Sequence, residues 1–76
     1  MFKIRTISRL SENSKAFIEE EEYYGASPDL RVSALVSRLI FKHGYKIVHV
    51  TITLVDTHKV SQTVESLSVR VDKERR

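Results

Sequence analysis

Between Ser27 and Gly44 the chain carries the start signal, the stop signal and the apolar spacing of one helix, and these constrain its fold more than any other feature. Ser27-Pro28-Asp29 supplies a capping hydroxyl, a proline suited to the first helical position and an acid in the first turn. Gly44 stands where a terminating glycine belongs, after Lys42 and His43 in the last turn. The spacing predicts a helix over 28–43. On its wheel, Val32, Leu35, Val36, Leu39 and Ile40 form a broad apolar arc. Leu30, Ala34 and Phe41 form a smaller apolar patch on nearly the opposite side, and a narrow basic line of Arg31, Arg38 and Lys42 runs between the two. A surface helix needs one apolar stripe. Two stripes imply contacts on two sides: a sheet on one, and another helix or a second subunit on the other.

The sheet is written on both sides of this helix. Residues 2–8 alternate, with Phe2, Ile4 and Thr6 on one face and Lys3, Arg5 and Ile7 on the other. Residues 45–55 are rich in β-branched side chains, with Val48, Val50, Ile52 and Leu54 sharing a face. Asp56-Thr57-His58-Lys59 predicts a turn, and 60–71 a return strand with Leu67, Val69 and Val71 inward; a bulge or loop fits within 61–66. Over 11–24, capping residues Ser11, Asn13 and Ser14, a heptad of Leu10, Phe17 and Tyr24, and a stop at Gly25 together predict a second helix. Glu19–Glu22 fit it badly, since four adjacent like charges wrap around a helix and repel. The expected order is β-α-α-β-β: an α+β fold in which two helices pack on one face of a small, mainly antiparallel sheet. One domain is expected over 1–72, with a charged tail at 73–76. This order resembles the one that opens the small RelE-like mRNA interferases, although no sequence motif accompanies it.

The chain of 76 residues has room for one domain and little surplus core. It contains no cysteine, which excludes disulfides, thiol nucleophiles and cysteine-bound zinc. No apolar run suits a signal peptide or a spanning helix, so a cytoplasmic location is expected. The formal charge of +3 is unevenly spread: residues 1–26 hold four basic and five acidic side chains, and residues 27–76 nine and five. A basic half can attract phosphate or an acidic protein.

Motifs of catalysis are missing. His43, His49 and His58 lack metal-binding spacing, and Gly25 and Gly44 lie too far apart for a phosphate loop. There is no Gly-x-Ser-x-Gly elbow. Neither a catalytic residue, a metal, a cofactor nor a small-molecule substrate is expected.

Two surfaces then carry the functional reading. Glu19, Glu22, Tyr23, Tyr24, Leu30, Ala34 and Phe41 are candidates for a protein interface, with another protein or with a second copy as a homodimer. Lys3, Arg5, Arg31, Arg38, Lys42 and Arg70 are candidates for contact with nucleic acid. The first expectation is a small non-enzymatic regulatory protein that binds another protein, with no membrane role. The alternative is a basic module that binds RNA or DNA, and the third reading, resting on element order, is a small RNA-cleaving enzyme.

Overall fold

A computed structural model describes residues 1–55 and 61–71. The turn expected at 56–59, His58 and the charged tail at 73–76 lie outside the described residues. Four strands and one helical segment follow in the order β1 (Phe2–Arg9), β2 (Phe17–Tyr23), α1 (Asp29–Ser37), β3 (Ile47–Val55) and β4 (Ser61–Arg70). α1 runs on into one π-helical turn, Arg38–Lys42. The strands form one sheet in the spatial order β2-β1-β3-β4, with every neighbouring pair antiparallel. The class is α+β, with an order of β-β-α-β-β.

The expected helix over 11–24 is therefore a correction. Leu10 to Ala16 turn the chain back, closed by Ser14 N–H donating to the Ser11 carbonyl at 3.1 Å and by the Arg9 guanidinium donating to the Ser14 carbonyl at 2.9 Å. Residues 17–23 then pair with β1, Phe2 opposite Tyr23 through Ser8 opposite Phe17. The heptad of Leu10, Phe17 and Tyr24 builds no buried stripe; all three are exposed. The physical reason lies in Glu19–Glu22. A helix crowds these carboxylates, whereas a strand sends two to each face, and both faces hold cations. Local propensity yields to those long-range partners.

The helix over 28–43 is found at 29–42. Gly44 ends it with φ of 78°, a left-handed conformation that other side chains rarely adopt. Its buried residues are Val32, Leu35 and Leu39. They meet Ile4 of β1 and Val48, Val50 and Ile52 of β3 in one core cluster, with Phe2, Tyr23, Val36, Ile40, Tyr45 and Leu67 packed around it. Alternation along β1 and β3 creates this face, as expected from Phe2, Ile4, Val48, Val50, Ile52 and Leu54. Of the bulge or loop that fits within 61–66, the return strand carries the bulge: Ile52 pairs with Glu65 but Thr53 pairs with Thr63, leaving Val64 as the extra residue.

A single helix has to cover a four-stranded sheet. Its buried residues sit on the central strands β1 and β3, and the Arg31–Glu21 ion pair at 2.6 Å links one flank to β2. At the far side, β4 shows only Leu67 and Val69 as half-buried, and Gln62 to Ser66 are exposed.

Candidate protein-interaction surface

The outer face of the helix is built by the same periodicity that builds the core. With Val32, Leu35 and Leu39 directed at the sheet, residues about half a turn away must point outward. Leu30 and Phe41 do so, at 85% and 84% exposure, and Ala34 is exposed between them. These are the two most exposed large hydrophobic side chains among the described residues. The second apolar patch read from the sequence thus exists, and no other part of the described chain covers it. Its flanks differ. Arg31 and Arg38 lie toward β2, whereas Val36 and Ile40 are half-buried on the other flank.

The acidic strand determines what the basic residues can do. Across β1 and β2, Lys3 stands opposite Glu22 and Arg5 opposite Glu20. On the helix side, Arg31 donates two bonds to Glu21, at 2.6 and 2.9 Å. Glu21 is held below the ordinary carboxylate range, chiefly by the Arg31 hydrogen bond, with the Arg38 charge acting in the same direction. Arg38 lines a cleft with Glu19, Glu20 and Glu21. At the other sheet edge, Arg70 pairs with Glu12 at 2.9 Å. Of the six candidate nucleic-acid contacts, Lys3, Arg5, Arg31, Arg38 and Arg70 therefore lie beside carboxylates. Lys42 is exposed in the π-helical turn.

Neither a protein-family model, a curated protein nor a solved structure matches the chain.

The remaining candidates are placed as follows. Glu19 and Glu22 are exposed on β2. Tyr23 packs its ring against the core and over Gly25, where a β-carbon would lie 2.5 Å from the phenol oxygen. Tyr24 is 75% exposed and donates its hydroxyl to Glu22 at 2.7 Å, a bond that raises its pKa. The tyrosines and the Leu30/Phe41 line do not merge into one patch, because Tyr23 faces the core. The element order that suggested RNA cleavage is not the observed order, so that comparison loses its basis.

Possible chemistry is limited by geometry. His43 caps the C-terminal end of the helix and is exposed. His49 Nδ1 bonds Ser68 Oγ at 2.5 Å across β3 and β4, a pair sequence reasoning missed because it depends on strand register. Both side chains stand in solvent, whereas an activated hydroxyl requires shielding and a fixed oxyanion site. The cleft beside Arg38 has a volume of about 60 Å³, room for a few waters and far below a small-molecule site. Among the described residues no group of His, Asp and Glu is arranged to hold a metal, and no helix is long and apolar enough to cross a membrane.

Proposed function

We propose that this protein is a non-enzymatic binding protein that docks another protein chain on the outer face of its helix. The observation that carries this reading is the exposure of Leu30 and Phe41, at 85% and 84%, on the face opposite a fully committed apolar face. Single exposed hydrophobics are ordinary. Two large ones aligned along one helix with Ala34 between them form the anchor type that grooves accept at spacings of one and several turns. Charge supports the same reading. The cations that would track a phosphate backbone already face carboxylates, and the exposed sheet face lacks the aromatic platforms of single-strand binders.

A photo-crosslinking residue at Ala34 tests this reading. Covalent capture of a protein is expected, and Phe41→Glu should abolish it without changing the circular dichroism spectrum. Capture indifferent to Phe41→Glu, or no capture at all, would overturn it. Nucleic acid provides the counter-experiment: little binding to a mixed RNA and DNA pool is expected near physiological salt. Tight binding with a steep salt dependence would favour the nucleic-acid alternative.

A further inference from the structure

The geometry points to an amphipathic helix with acidic flanks as the partner segment on that face. This inference rests on the outer face of the helix being a docking face, as proposed above, and it names the kind of chain that docks there.

Backbone chemistry is the first argument. Leu30, Ala34 and Phe41 lie along a helix, whose peptide groups bond one another. A segment laid along it finds no backbone ladder to join and has to satisfy its own N–H and C=O groups. An α-helical segment does so, whereas an extended segment needs a sheet edge. Phe41 follows Leu30 by eleven positions, a rise of about 16 Å, so three turns of a partner helix match the line. Apolar side chains spaced three and four apart on that partner would meet Leu30, Ala34 and Phe41, with the two axes about 8–10 Å apart.

Charge is the second argument. Ion pairs among the described residues are Arg31–Glu21 and Arg70–Glu12. Arg31 is thus engaged within the fold. Arg38 and Lys42 are exposed and form no ion pair among the described residues, although the Arg38 charge acts on Glu21 from farther away. They flank Phe41 in the chain. The other end of the line has Asp29, exposed beside Leu30. The face is therefore apolar along its length, cationic at the Phe41 end and anionic at the Leu30 end. A partner with carboxylates beside its apolar stripe at the Phe41 end complements it, and one with lysines there meets like charge.

Local geometry is the third argument. Arg38, Phe41 and Lys42 belong to the same π-helical turn, closed by His43 N–H donating to the Arg38 carbonyl at 3.2 Å. Such turns are rare and recur at functional sites. This one sets Leu39 into the core at 1% exposure and Phe41, two positions on, into solvent at 84%. The apolar anchor and both cations are presented by one unit.

The test is selection from a displayed library of helical peptides, randomised on the apolar stripe and beside it. Against the wild-type chain, the selected peptides should carry aliphatic stripes flanked by Asp and Glu. Phe41→Glu should lower their affinity about tenfold or more. Lys42→Glu should lower it about three- to tenfold and, as bait in its own selection, should enrich basic flanks. Lys15→Glu makes the same charge change on the exposed turn between β1 and β2 and should leave affinity and preference as they are. That control separates a local contact from the overall charge of +3. All three positions are exposed, and circular dichroism checks that each variant keeps the fold. Peptides without an acidic bias, or a bias that Lys15→Glu weakens as much as Lys42→Glu, would overturn the inference. A selection that yields no Phe41-dependent peptide would also overturn it. The photo-crosslinker at Ala34 then separates the two readings. Phe41-dependent capture of a protein through a basic or extended segment leaves the docking face standing with another occupant, and absence of such capture removes both.

Discussion

At the scale of single residues, the protein concentrates its stability in few positions. Leu39 is 1% exposed and touches both the sheet and its own helix. Leu39→Asp buries a charge with no cation designed to meet it and should leave the chain unfolded by circular dichroism at 25 °C; Leu39→Ala should cost about 2–5 kcal/mol in urea titration. Ser8 is the opposite case. Its side chain is fully buried and its hydroxyl has no hydrogen-bond partner. Ser8→Ala removes a desolvated polar group and little volume, so stability should stay level or rise by about 1 kcal/mol. A clear loss in the same titration would mean that the hydroxyl is satisfied. Glu21 carries a pH signature. Its pKa is lowered from 4.5 by the Arg31 hydrogen bond, so its contribution is present above the unfolded value and is lost as pH falls through the folded one. Glu21→Gln should thus lower the melting temperature at pH 7 and converge with wild type in acid. Both side chains keep a third or more of their surface in water, so the difference is modest.

At the scale of elements, β2 exists because of its neighbours. A strand of four consecutive glutamates has poor intrinsic β propensity. Lys3 and Arg5 stand opposite Glu22 and Glu20 in the ladder, and Arg31 bonds Glu21 on the helix side. Reversing Glu20 and Glu22 to lysine sets like charges across two positions of one ladder. Each pair should cost on the order of 0.5–1 kcal/mol, and β2 should exchange its amide protons first. An unchanged exchange pattern would show that backbone pairing alone secures the strand. Carboxylates on this sheet edge also discourage edge-to-edge pairing through β2.

At the scale of the whole molecule, the core is small for four strands. Eight hydrophobic residues are buried among those described, all from β1, β3 and the helix. Neither edge strand contributes one. If two copies associate through the outer helix face, the melting temperature should rise with protein concentration in the wild type and stay constant in Phe41→Glu. A wild-type melting temperature independent of concentration would argue for a self-sufficient monomer.

The sequence by itself determined the helix, its two apolar faces, the glycine that ends it, the inward residues of β1 and β3, and the return strand. Each is a local signal: a cap, a period of 3.6 or 2, a positive φ. Legibility failed at 11–24, where capping residues and a chance heptad imitate a helix, and where the deciding interactions join residues such as Arg31 and Glu21 that are distant in the chain. Only the tertiary structure could show that the acidic strand lies beside most of the cations read as nucleic-acid contacts, because charge complementarity depends on which strands are neighbours. The same holds for the interface residues. Leu30, Ala34 and Phe41 were legible as a second stripe, but whether a second helix of the same chain would cover them was decided by that helix being a strand.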